Sequence, residues 1–125
     1  MKDEKFVILC VDDDQDVLDV LRSILEAGGY LMVEASTAEE GLKQYKAGKP
    51  DLVIVDLMME EVDAGTRLVR DLQALGNKAP VYMLSSVGDS LHRNIDFAEL
   101  GLSGVFQKPL DPNTLLTTLK FKLKK

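Results

Sequence analysis

Residues 50–56 read Pro-Asp-Leu-Val-Ile-Val-Asp, and the unbroken apolar run from 52 to 55 decides the fold. Valine and isoleucine favour a strand, and the absence of polar alternation implies that both faces of that strand are buried. Such a strand is the centre of a parallel sheet with helices packed above and below, so strand and helix signals should alternate on either side of it. Upstream, residues 6–11 form another apolar run. They are followed by Asp12-Asp13-Asp14 and then by Val17, Leu18, Leu21, Ile24 and Leu25 at helical spacing. Gly28-Gly29 ends that helix, and residues 30–35 read as a second, less apolar strand suited to an edge. Ser36-Thr37-Ala38-Glu39 has the form of a capping box, opening a helix with Leu42 and Tyr45 inward that stops near Gly48 and Pro50.

Downstream the alternation continues. A helix carries Leu68, Val69, Leu72 and Leu75, a strand spans 81–84 after Pro80, and a helix carries Leu91, Ile95, Ala98 and Leu102. A last strand at 104–107 runs into Lys108-Pro109. Asp111-Pro112 then supplies an N-cap and a first-turn proline for a final helix bearing Leu115, Leu116, Leu119 and Leu123. Five strand–helix units result, and right-handed crossovers put helices on both faces of one sheet. The expected architecture is a doubly wound α/β domain.

The chain has 125 residues, 46% of them hydrophobic, which suits one domain spanning 1–125. Its 15 basic and 21 acidic residues leave a formal charge of −6, so no general attraction to nucleic acid is available. The only cysteine, Cys10, lies within an apolar run and has no disulfide partner, which fits a reducing compartment. No apolar stretch approaches the roughly 20 residues of a membrane span, and the first five residues are charged rather than signal-like, so a cytoplasmic location is expected.

Four polar clues each stand just past the C-terminal end of a strand: Asp12-Asp13, Asp56, Ser85-Ser86 and Lys108. Open α/β sheets place their ligand crevice at that end. Three carboxylates meeting there would repel one another unless a cation joined them, and oxygen-only ligands favour a hard ion such as Mg2+. A carboxylate cage with one hydroxyl and one ammonium suits phosphate chemistry.

This constellation resembles the receiver domain of two-component response regulators, the family that includes the chemotaxis protein CheY. "ILCVDDDQDVLDVL" is similar to the family's first strand and acidic pair, "DLVIVDLMMEEVDAG" to its phosphoacceptor strand and loop, "PVYMLSS" to its hydroxyl-bearing strand, and "GVFQKPLDP" to its lysine-proline turn. The resemblance implies a flavodoxin-like, CheY-like sheet of order 2-1-3-4-5 with five helices. It implies that Asp56 accepts a phosphoryl group and that Asp12, Asp13, Asp56 and the main-chain carbonyl of Met58 hold Mg2+. Ser85 would be the switch hydroxyl and Lys108 the charge-offsetting amine. The implied partners are a histidine kinase or phosphotransfer protein and a downstream protein target or output domain, with phosphorylation-dependent homodimerisation as one outcome. No output domain follows the last helix, so the chain looks like a stand-alone receiver, although a piece of a longer regulator or hybrid kinase would read identically. The module would catalyse only its own phosphorylation and dephosphorylation.

Some residues depart from the family pattern. The place three before the lysine, often aromatic, is Val105, and the aromatic is Phe106 on the opposite face of the strand. The loop after Asp56 has Glu60 where the family often has proline and Ala64 where it often has glycine. Apolar Val87 and Met58 flank the site, and poor positioning of a hydrolytic water there would give a long-lived phosphoryl state. Asp14 reads as a helix cap, His92 as a solvated surface residue, and Phe121 as lying off the leucine stripe of the last helix. Two other functions compete: an aspartate-nucleophile, Mg2+-dependent phosphatase of the haloacid dehalogenase type, whose motif places nucleophile and acid as Asp-x-Asp after the first strand whereas the nucleophile candidate here follows the third, and a flavodoxin-like binding module that is never phosphorylated or that holds FMN.

Overall fold

The computed structural model describes residues 5–56, 64–85, 101–108 and 110–123. Within these, the chain runs β1 (Val7–Val11), α1 (Gln15–Ala27), β2 (Leu31–Ala35), α2 (Ala38–Gly48), β3 (Leu52–Asp56), α3 (Ala64–Ala74), β4 (Val81–Ser85), β5 (Gly104–Gln107) and α4 (Pro112–Lys122). The five strands are all parallel, in the order β2-β1-β3-β4-β5. Every residue of β3 is buried, as a strand at the middle of that order requires, and β2 takes the expected edge place.

Alternation along the strands divides the core into two layers. Ile8, Cys10, Leu52, Ile54, Tyr82 and Phe106 face α1 and α4, where they meet Leu18, Leu21, Leu25, Leu115 and Leu119. Leu9, Val11, Val53, Val55 and Met83 face the other way, onto Leu68, Val69 and Leu72 of α3. Phe106 is buried and stacks on Tyr82 with ring centroids 4.9 Å apart, while Val105 points to the other face and stays 38% exposed. The two residues therefore occupy opposite faces of β5, as their adjacent positions in the strand dictate.

Close approach of α2 to the sheet depends on Gly41. A Cβ there would stand 2.9 Å from Val11 Cγ2 and 3.2 Å from Leu68 Cδ2, so the helix could not keep its place. A Gly41→Val protein is expected to lose about 1–3 kcal/mol of stability, the usual cost of overpacking a core. The check is the urea midpoint at unchanged m-value, and a midpoint equal to the parent's would show that the contact yields freely.

Three expectations are corrected or lie elsewhere. The N-cap of α2 is Thr37, whose hydroxyl accepts from Glu40 N at 3.0 Å, and Glu40 rather than Glu39 reaches back, to Ser36 N at 3.3 Å. The box is thus displaced by one residue. Leu102 is not helical: Gly101 before it has φ +70°, and Leu102 packs as a loop residue against the α3-side core. The described residues hold four helices, and the rest of the helix expected around Leu91, Ile95 and Ala98 lies outside them, as do Met58, Glu60, Val87 and His92. Phe121 is 70% exposed, consistent with a place off the leucine stripe. None of the described helices is long and apolar enough to cross a membrane.

Candidate metal centre

Strand register brings the acidic groups together. Val11 pairs with Val55, so the next residue of each chain segment, Asp12 and Asp56, stands side by side at the C-terminal edge of the sheet. Asp12 follows Ile8 and Cys10 on the pleat, Asp56 follows Leu52 and Ile54, and Lys108 follows Phe106, so alternation turns all three toward the α1–α4 face. Two main-chain bonds extend the ladder to hold them there: Asp12 N donates to Ala35 O at 3.1 Å and Lys108 N to Ser85 O at 2.8 Å.

The side chains meet as that register requires. Lys108 Nζ lies 3.2 Å from Asp12 Oδ2 and 3.2 Å from Asp56 Oδ1. Carboxylate oxygens of Asp12, Asp13 and Asp56 all fall within 4.8 Å of one another. Asp12 and Asp56 are buried, whereas Asp13 is exposed at the rim. Ser85 is buried at the end of β4, one residue beyond Leu84, the register partner of Asp56. Ser85 continues the row of Val81 and Met83 toward the other face of the sheet, so its hydroxyl reaches the sheet edge from the side opposite Lys108. Sequence reasoning missed one participant. Asp14 caps α1 as its sequence position implies, and in addition its main-chain N–H donates to Asp12 Oδ1 at 2.9 Å.

Burial is the largest influence on the Asp12 carboxyl and holds it above the ordinary carboxylate range. The Asp14 N–H and the Lys108 ammonium pull the other way, and the charge on Asp13 adds to the upward push. Burial alone would lower the Lys108 amine, but the Asp56 and Asp12 carboxylates outweigh it and hold the ammonium above its usual range. Burial likewise pushes the Cys10 thiol far up, so this cysteine stays protonated and inert.

Three carboxylates and one ammonium leave two negative charges, the charge that one divalent cation balances. Asp12 Oδ2 is buried and its partner is the Lys108 ammonium, which Asp56 shares. Clustered carboxylates are costly unless cations offset their charge, and an all-oxygen set suits Mg2+. The residues present therefore fit a hard divalent ion.

The raised Asp12 carboxyl has a testable sign. The folded state binds this proton more readily than the unfolded chain, so the buried charge costs stability at neutral pH. That cost shrinks as pH falls through the folded-state value and vanishes below the unfolded value of about 3.9. In the presence of a chelator, Asp12→Asn is expected to be more stable than the parent, with the gap widest near about pH 7 and closing toward about pH 4. Urea midpoints across that range measure it, and a gap of constant size would mean that the carboxylate is not strained.

The comparisons with known proteins agree with this geometry. Residues 8–120 match the family model for the response regulator receiver domain. The alkaline phosphatase synthesis transcriptional regulatory protein PhoP of Bacillus subtilis is 30% identical over 118 residues, covering 94% of this chain and 48% of that protein. The transcriptional regulatory protein GlrR of Escherichia coli is 35% identical over 108 residues, 86% of this chain and 24% of that protein. Among solved structures, a CheY-like response regulator receiver domain protein from Methanospirillum hungatei superposes with a TM-score of 0.81 at 30% identity, covering 95% of this chain and 94% of that one. The chemotaxis response regulator CheY4 of Vibrio cholerae gives 0.82 at 27%, covering 96% and 100%. The chain belongs to the response regulator receiver domain family, and its fold is the flavodoxin-like fold of that family. It spans about half the length of the first curated relatives it matches. It is thus a receiver module of two-component signalling, a class that does not act as an ordinary enzyme on outside substrates.

Proposed function

We propose that Asp56 is the phosphoacceptor of this receiver, that Asp12, Asp13 and Asp56 hold Mg2+, and that Lys108 and Ser85 attend the transferred phosphoryl group. The single observation that carries this reading is the Lys108 ammonium lying 3.2 Å from both Asp56 and Asp12, at the meeting point of three carboxylates. Bound Mg2+ would supply positive charge to offset the phosphoryl oxygens. A carboxylate oxygen of Asp56 attacks phosphorus, a P–O bond forms, and the bond from phosphorus to the donor breaks with its electron pair leaving on the donor. Lys108 offsets charge on the group from the α1–α4 side, and Ser85 donates a hydrogen bond to a phosphoryl oxygen. Burial of Asp56 keeps this attack free of competing water at the carboxylate.

The phosphoryl adds about −1.5 to −2 charge units at the edge of the sheet. That charge draws on Ser85 and Lys108, and so biases the ends of β4 and β5 toward a second arrangement read by a partner. The donor in this reading is a histidine kinase or phosphotransfer protein, and the reader is a protein target, an output domain or a second copy of the chain. The whole of 1–125 acts as one receiver domain.

Incubation with acetyl phosphate and Mg2+ should add the mass of one phosphoryl group, and a chelator should prevent it. A chain that gains no such mass, or gains it equally in the chelator, defeats the proposal.

A further inference from the structure

The last turns of α2 and α3, with the chain entering β3 and β4, form a cleft of about 450 Å³ at the N-terminal edge of the sheet. The whole length of β3, roughly 15 Å at the usual strand rise, separates it from Asp56. Hydrogen bonds fix its walls. Tyr45 Oη donates to Asn77 Oδ1 at 3.0 Å, that oxygen also accepts from Ala79 N at 3.0 Å, and Asn77 Nδ2 donates to Ala79 O at 2.9 Å. The end of α2 is thus tied to the turn before β4. The Tyr45 ring lines the cleft together with Leu75, an apolar side chain left 49% exposed.

Charge singles this cleft out. Lys46, Lys49 and Lys78 line it and no carboxylate does, in a chain whose formal charge is −6. None of the three lysines has an ion-pair partner among the described residues. Asp51, the nearest acid in the chain, is instead engaged with Val7 N at 2.8 Å. The negative ends of the two helices offset only about half a charge each, so the cleft stays positive. Lys49 is the least ordinary of the three. It ends α2 with φ +45°, the only residue besides glycine with positive φ among the described residues, whereas Gly76 takes the left-handed place after α3 at φ +81°. Glycine adopts that backbone freely and lysine only at a cost, which a ligand on its ammonium would offset. We infer that the cleft binds an organic polyphosphate of nucleotide size, with its phosphates on the three ammonium groups and its ring against Tyr45 and Leu75. Lysine serves phosphate as a point charge, aromatic and apolar walls take a ring, and small-ligand clefts span about 300–1,000 Å³. No residue of the carboxylate site takes part, so this inference stands or falls apart from the phosphoryl reading.

The test titrates 15N-labelled chain with ADP, pyrophosphate and adenosine in the presence of a chelator, with amide shifts giving both place and affinity. ADP should shift the amides of Tyr45, Lys49, Gly76 and Asn77. It should bind more tightly than pyrophosphate, which lacks the ring, and than adenosine, which lacks the charge. Lys46→Gln and Lys78→Gln should each weaken ADP about threefold, the size usual for one exposed charge pair, and together about tenfold. Lys49→Gly should lose as much affinity while its urea midpoint holds or rises, because the backbone strain is relieved. Lys120→Gln, at an exposed position on α4, should leave ADP affinity unchanged. The inference is overturned by ADP shifts that fall elsewhere, by pyrophosphate or adenosine binding as tightly as ADP, by full affinity in Lys49→Gly, or by an equal loss in Lys120→Gln.

Discussion

Asp56→Asn is expected to end phosphoryl uptake from acetyl phosphate while leaving the fold intact. The amide has nearly the shape of the carboxylate, so the buried place at the end of β3 stays filled. Neither of its polar atoms is an adequate nucleophile, because the amide lone pair is delocalised and no negative oxygen faces phosphorus. The substitution also removes one of the three carboxylates proposed to hold a divalent ion, so Mg2+ affinity should fall in parallel. Stability should hold or rise, since a carboxylate is withdrawn from a crowded acidic cluster while Lys108 keeps Asp12 as its partner at 3.2 Å. Intact mass reads the first effect and the urea midpoint the second. If the variant gained as much phosphoryl mass as the parent, the acceptor would be another residue, and Asp12→Asn and Asp13→Asn would identify which carboxylate it is.

Lys108→Met should separate stability from chemistry in the other direction. It removes the ammonium that Asp12 and Asp56 share, and breaking a buried ion pair by deleting one member commonly costs about 3–5 kcal/mol. Lys108 is 20% exposed at its side chain and the carboxylates can protonate or gain solvent, so a loss of about 1–3 kcal/mol is the better expectation here. Adding Asp12→Asn should restore much of that loss, because the charge left without a partner is then gone. A double-mutant cycle measures this coupling. Phosphoryl uptake should remain measurable in Lys108→Met, since Asp56 still attacks, but the conformational response should be weak, because the amine that would follow the new charge is missing. Chemical shifts in β5 before and after phosphorylation report it. A variant as stable as the parent, with no rescue by Asp12→Asn, would mean that the ion pairs contribute nothing.

Much of this architecture was legible because it is encoded locally. The run Leu52, Val53, Ile54 and Val55 requires burial on both faces wherever it sits, and β3 is central and buried throughout. Leu18, Leu21 and Leu25 recur at helical spacing, and α1 buries all three. The misreadings came where local signals were degenerate. Glu39 and Glu40 are both acidic, and only the backbone geometry at Thr37 decided which one closes the box. Leu102 fits the helical period after Ala98, but Gly101 adopts φ +70° and turns the chain out of any helix first.

The amino-acid chain alone determined the order of strands and helices and the kinds of groups delivered to one edge of the sheet, because periodicity and capping act within a few residues. It could not specify which atoms meet. That Lys108 is shared at equal distance by Asp12 and Asp56, and that Asp14 claims one oxygen of Asp12 and leaves the other, depend on the register between strands distant in sequence and on the burial that register imposes. Those contacts are properties of the packed sheet, where a shift of one residue would turn each carboxylate to the opposite face.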